Sequence, residues 1–291
     1  MHLWDPRVLS YPWLSGLPAL NQPFGLAEYD KACVASHAFG ASENGAEIAS
    51  GRRAQQMVFV ECTGAMTDVS SQGEVRWVSE LAAGDPRIGG IVAHASLEND
   101  SEVSAHLEWL ASNPLVKGVR RLLQGEVDPH FCLQPSFLRS LRRLPSHNLS
   151  FDICVYHYQL EGVLEMVARC PEVSFVLDHA GKPGIRSGDL AAWTHHLSKL
   201  AAFPNVNCKL SGLITEADIE HWTSDEMLPV MGLVLDEFGS ERVMFGSDWP
   251  VVNLAGSLGK WMDLMGEFDR MLDEGTRQSI YCNTALRVYR L

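Results

Sequence analysis

The stretch RVMFGSDWPVV, residues 242–252, decides how the rest of the chain is read. Val243-Met244-Phe245 is a short apolar run suited to a buried strand, and it breaks at Gly246-Ser247. The next residue is a carboxylate, Asp248, followed by Trp249-Pro250. A charge leaving the end of a core strand is costly unless it is paired or used. Barrels of alternating strands and helices keep their reacting groups at that end of the strand. Asp-x-Pro is also good turn chemistry, so Asp248 alone is equally well explained as a turn cap.

Six upstream runs read as strands of the same kind: QMVFVEC (56–62), RIGGIVAH (87–94), VKGVRRLL (116–123), LSFDICVY (149–156), VSFVLDH (173–179) and NVNCKLSG (205–212). Amphipathic stretches lie between them at 101–112, 160–170 and 190–203. In the first of these Val103, Leu107 and Leu110 fall at helical spacing. Successive strands start about 25 to 35 residues apart, the length of one strand-helix unit. Such alternation fits an open doubly wound sheet or a (β/α)8 barrel. The Gly-rich phosphate loop of the first is absent. The expectation is therefore α/β: a distorted (β/α)8 TIM-type barrel over residues 1–291 as one domain. Its first strand is truncated or displaced, because the only room for it lies before residue 5.

Composition narrows the function. A net charge of -13 argues against nucleic acid, which calls for a basic surface. The seven cysteines are scattered with no CxxC spacing, which suits reduced thiols. No apolar run approaches the ~20 residues of a membrane span, and MHLWDPRVL lacks the regions of a signal peptide. The expected setting is the cytoplasm, with a small-molecule partner, no nucleic acid, no membrane, and a homodimer compatible with the sequence.

Collecting the polar residues at the strand ends gives His2, Glu61, His94, Arg120-Arg121, Tyr156-His157-Tyr158, Asp178-His179 with Lys182, Lys209 with Ser211, and Asp248. Alternation sends neighbours to opposite faces. One arginine of the pair is thus expected inside as an anion clamp and the other outside as a surface charge. Lys182, in GKPG, is read equally well as a solvated turn residue. Imidazoles, a carboxylate and cations at one face suit two chemistries. One is metal-assisted hydrolysis, with His and Asp holding a divalent ion. The other is metal-free acyl hydrolysis, with a carboxylate base and a cationic or imidazole oxyanion partner. Asp248 serves either.

HLWDP with YPWL, GVRRLLQ, FDICVYHYQL, LDHAGKP, CKLSGL, FGSDWPV and the terminal NTALRVYRL resemble the amidohydrolase superfamily in order and spacing from residue 2 to 291. The likeness is strongest to its lactonase branch, which opens sugar lactones and pyrone-dicarboxylate lactone. The resemblance implies a distorted (β/α)8 barrel with Asp248 activating water and His179 polarising the lactone carbonyl or holding the water. Arg120 matches a position that often faces a substrate carboxylate or hydroxyl, and His157 falls at the strand-five site where many relatives place a histidine, although the register could instead put Tyr158 there. The expected substrate contacts are Arg120, Lys182, Tyr156 and Tyr158, and the expected metal site is His2, His157 and Asp248. The cofactor the resemblance implies is one divalent ion, zinc or manganese, although some members of the branch work without metal. Trp4, Trp13 and Trp249 either stack on a sugar face or close the barrel mouth.

The family opens with His-x-His, and here His2 fits the second histidine with Met1 in the middle position. Either translation starts at an internal methionine of a longer natural form, or this is a short form with a weakened metal site. Few inward cations suit a neutral, hydroxyl-rich ligand better than a dianion. The leading expectation is hydrolysis of L-fucono-, L-rhamnono- or a related aldonolactone to the aldonic acid. The alternatives are a metal-dependent decarboxylase or hydratase of the same superfamily, or a non-catalytic ligand-binding barrel.

Overall fold

The computed structural model describes residues 1–34, 56–62 and 67–291. All seven expected runs form strands: β1 (Met57–Val60), β2 (Ile88–His94), β3 (Val116–Arg120), β4 (Ser150–Ile153), β5 (Phe175–Leu177), β6 (Val206–Leu210) and β7 (Val243–Phe245). They pair in parallel in chain order, β1 to β7, as one curled sheet. Helices occupy the connections: α1 (Leu26–Val34), α2 (Asp68–Gly84), α3 (Asp100–Ala111), α4 (Pro135–Leu141), α5 (Leu160–Arg169), α6 (Ala191–Ala201), α7 (Ser224–Phe238) and α8 (Leu258–Asp269). The short α9 (Glu274–Gln278) and α10 (Thr284–Tyr289) end the chain. The fold is a TIM-type barrel in which the strands are shorter than the apolar runs that contain them. In the run 116–123, for example, pairing stops at Arg120 and the chain turns away to build the barrel mouth.

Alternation within these strands separates two environments. Phe59, Ile91, Ala93, Val119, Phe151, Ile153, Phe175, Leu177, Cys208, Leu210 and Val243 belong to the large core that includes the helices. Val60, Val92, Val176 and Met244 point the other way and meet Val288 and Tyr289 of α10, which closes the barrel floor. Arg120, Asp152 and Lys209 share that inner parity, so part of the interior is ionic rather than aliphatic.

Residues 1 and 2 form no strand but lie between β1 and the segment after β7. The Met1 nitrogen donates to the Val58 carbonyl (3.1 Å), and Val60 N–H donates to the Met1 carbonyl (2.9 Å). On the other side His2 N–H donates to the Trp249 carbonyl (2.7 Å). Met1-His2 therefore bridges β1 to the segment after β7, and places the His2 ring at the mouth. Below it, a cavity of about 140 Å³ lies along the seam among Met57, Val58, Met244, Tyr281 and Leu291. No described helix is long and apolar enough to cross a membrane.

Candidate active site

Three strand ends converge at the mouth. Asp248 follows β7 with φ 50°, His179 follows β5 with φ 54°, and His2 comes from the seam. All three are buried. His2 Nε2 lies 3.3 Å and His179 Nε2 3.9 Å from Asp248 Oδ1. Gly212, at φ +60°, is what allows this approach. A Cβ there would stand 2.6 Å from His179 Nδ1 and 2.8 Å from Asp248 Oδ2.

Each ring is turned by its other nitrogen. His2 Nδ1 is 2.8 Å from the Val60 carbonyl, and His179 Nδ1 is 2.9 Å from the Ser211 hydroxyl. A carbonyl only accepts, so His2 Nδ1 carries a proton. Nε2 faces the Asp248 carboxylate and donates to it only when the ring is protonated. Burial lowers the basicity of His2, opposed by the hydrogen bond to Asp248. Burial likewise pushes the His179 imidazole down to about 4, with Asp248 pulling the other way. For Asp248 itself, burial alone would raise the carboxyl. The fields of His179, His2 and Lys182 outweigh it and hold the group below the usual carboxylate range. Two imidazoles and a carboxylate are the donor types a divalent ion takes, and His2 and His179 each approach Asp248 Oδ1, although the three ligand atoms do not all come within 4.8 Å of one another as the side chains stand.

A second cluster, Cys154, Asp178 and His179, has ligand atoms within 4.8 Å of one another. It is more closely set, but its groups are already committed. Asp178 Oδ1 accepts from Lys209 (2.7 Å) and Oδ2 from Arg120 (3.0 Å), while burial raises the Cys154 thiol to about 12.

A cavity of about 480 Å³ opens beside the His-Asp group, within the size range of small-molecule sites. One wall is polar: Glu61, Arg120, Gln124, Tyr156 and Lys182. Another part of the lining is apolar: Trp4, Trp13, Leu17, Leu20, Val251 and Leu254. Both cations are already matched. Arg120 donates to Glu61 Oε1 at 2.7 Å and to Asp178, and Lys182 Nζ lies 2.8 Å from Glu216 Oε1.

The structure brings Asp248, His179, His2, Arg120, Lys182, Tyr156 and Trp4 to this cavity, and leaves three other expected residues outside its lining. His157 sits in a turn before α5, with Nδ1 3.0 Å from the Lys182 carbonyl, rather than beside Asp248. The strand-end position it was expected to fill is taken by Cys154, because β4 ends at Ile153. Tyr158 is 59% exposed and stacks on Tyr156 at 5.7 Å. Trp249 is buried between Phe24 and Tyr29. Arg121, expected at the surface, is buried as well. It pairs with Glu98 (2.9 Å) and Glu126 (2.7 Å) across the face of Phe131, so its charge is satisfied outside the barrel interior. Glu216 and Gly212 were not singled out in the sequence. Glu216 lies far from any strand end, but Gly212 follows Lys209 and Ser211 directly, and that was its only signal.

A parallel barrel with a His-Asp cluster at the carboxyl ends of its strands defines a hydrolase-type site. The chain belongs to the amidohydrolase family: the family pattern described as "Amidohydrolase" matches residues 1–291. It is 32% identical over 302 residues to an L-fucono-1,5-lactonase of Burkholderia multivorans, covering 100% of this chain and 94% of that one. An L-fucono-1,5-lactonase of Burkholderia ambifaria is 33% identical over 236 residues, 80% of this chain and 81% of that one. An amidohydrolase from Burkholderia multivorans solved with zinc bound superposes with a TM-score of 0.84 at 30% identity, covering 100% of this chain and 97% of that chain.

Proposed function

We propose that the protein hydrolyses a sugar-acid lactone of the 6-deoxyaldonolactone kind, L-fucono- or L-rhamnonolactone, to the open aldonic acid. The observation that carries this is the charge balance of the cavity. Among the described residues its two cations, Arg120 and Lys182, each already face a carboxylate. A dianionic ligand would meet no uncommitted cation among them, whereas a neutral ring rich in hydroxyls can share Glu61, Gln124, Tyr156 and Lys182 as donors and acceptors. The apolar lining suits the ring face and a methyl substituent, with Trp13 offering the aromatic surface and Trp4 packed behind it.

In this reading Asp248, held ionised by its neighbours, takes a proton from water as the water oxygen attacks the lactone carbonyl carbon. The carbonyl electrons move onto oxygen, and His179 stabilises the oxyanion. Collapse of the tetrahedral intermediate breaks the bond to the ring oxygen, and the proton on Asp248 passes to that leaving alkoxide. A divalent ion held by His2, His179 and Asp248 would supply carbonyl polarisation and a more acidic water. Lys182 and Tyr156 orient the substrate, and the tryptophan wall excludes solvent.

The test is a pH-indicator screen of sugar lactones with metal-stripped protein, with and without added zinc or manganese. Proton release from 6-deoxyaldonolactones above the uncatalysed rate is expected. No turnover of any lactone under either condition would overturn the reading.

A further inference from the structure

Residues 179–182 run through a left-handed turn that L side chains disfavour. The φ angles are 54° at His179, 51° at Ala180, 71° at Gly181 and 49° at Lys182. Only one of the four is glycine, so the conformation persists only if its surroundings over-determine it. The clamps are identifiable. At the start, Lys209 and Arg120 hold the Asp178 carboxylate, and Ser211 meets the His179 ring. At the end, Lys182 N–H donates to the His179 carbonyl (2.9 Å), and His157 Nδ1 lies 3.0 Å from the Lys182 carbonyl.

The middle of the turn is held from another direction. Trp193 of α6 is fully buried and donates its indole N–H to the Ala180 carbonyl at 2.7 Å. Trp193 does not line the cavity. Its bulk belongs to the apolar core, as expected of a helical tryptophan, but a core position by itself asks nothing of the indole nitrogen. Here that nitrogen fixes the orientation of the Ala180–Gly181 peptide, one residue beyond His179. Freeing this peptide would loosen the left-handed turn that carries His179 beside Asp248.

We propose that Trp193 is a positioning residue whose indole N–H, acting through the Ala180 carbonyl, holds the left-handed turn that aims His179 at Asp248. The inference uses the lactonase reading for its kinetic measurement and needs no substrate for its structural one.

The experiment compares wild type, Trp193→Phe, and Trp193→Phe combined with Ala180→Gly, by turnover of a 6-deoxyaldonolactone and by amide hydrogen exchange. Phenylalanine keeps most of the apolar bulk and removes the donor. Glycine at 180 removes the steric reason for leaving φ 51°. Trp193→Phe is expected to lower kcat about tenfold with KM unchanged, as for a lost hydrogen bond to a buried carbonyl. Exchange of the Lys182 amide should rise by a similar factor, with the β-strand amides unaffected. The added Ala180→Gly should restore both. Uniformly faster exchange across the protein, or no local change at 179–182, would overturn the proposal, as would an unrescued double variant. If wild type opens no lactone, the functional reading fails and the exchange data alone decide this one.

Discussion

Asp178 and Asp248 are both buried aspartates just beyond the ends of barrel strands, yet they belong to different kinds of chemistry. Asp178 sits in an ionic ladder. Its two oxygens accept from Lys209 and Arg120, Lys209 also meets Asp152 (2.5 Å), and Asp152 accepts from the Tyr289 hydroxyl (2.7 Å). Asp248 faces two imidazoles and the open cavity. Burial alone would raise both carboxyls, and in both cases neighbouring groups reverse it: first Lys209 and Arg120 for Asp178, first His179 and His2 for Asp248. The partners' chemistry separates the roles. Saturated by fixed cations, a carboxylate is a strut; beside two imidazoles and an open cavity it keeps a lone pair for a proton or a cation.

The largest effect that could break this contrast is at Asp248. Asp248→Asn is expected to lower kcat by about ten-thousand-fold while leaving the thermal unfolding midpoint nearly unchanged, as for a proton-transfer group acting with its partners. Near-wild-type turnover in that variant would remove Asp248 from the chemistry. Asp178→Asn should do the reverse. It leaves Lys209 and Arg120 short of a buried counter-charge and should cost about 3–5 kcal/mol in a denaturant titration. A stable Asp178→Asn protein would mean that the ladder is not a strut.

Gly212→Ala tests how closely the two regions must fit. Its methyl would press on both His179 and Asp248. Turnover is expected to fall about a hundredfold, the scale of an ångström-sized displacement of reacting groups. On the cavity wall, Lys182→Met should raise KM about tenfold with a smaller change in kcat, the pattern of lost ground-state binding. An unchanged KM would take Lys182 off the substrate.

The smallest effect concerns a third buried carboxyl, Glu74 of α2. Burial, followed by the field of Glu61, raises it to about 8. Because the folded-state value lies above the unfolded one, the folded protein binds the extra proton between them. Its contribution to stability is complete below the unfolded value near 4.5 and is lost as pH rises through about 8. Unfolding titrations at pH 5, 7 and 8.5 should show Glu74→Gln flattening that decline. Parallel pH dependence in the two proteins would refute the assignment.

Much of the barrel was legible because its signals are local. Apolar runs of strand length, spaced by one helix each, determined seven strands and their order, and the GSD ending of β7 marked the mouth. Asp248, His179 and Lys182 were legible for the same reason, being polar residues placed where a strand run stops. His157 shows the limit. β4 ends three residues earlier than its apolar run suggests, and that shift sends the imidazole to the Lys182 carbonyl and Cys154 to the cavity. Arg121 shows another: alternation predicted its direction, but not the two glutamates that would fold over it.

By itself the sequence determined which residue types stand at the strand ends and which strand each follows. The tertiary structure decided which charges neutralise one another: Arg120 with Glu61 and Asp178, Lys182 with Glu216, Lys209 with Asp152 and Asp178. It also decided that four consecutive residues turn left-handed beside the cavity. Hydrophobic period is a property of neighbours along the chain. Ion pairing and backbone strain depend on distances between residues 30 to 60 positions apart, which closure of the barrel alone sets.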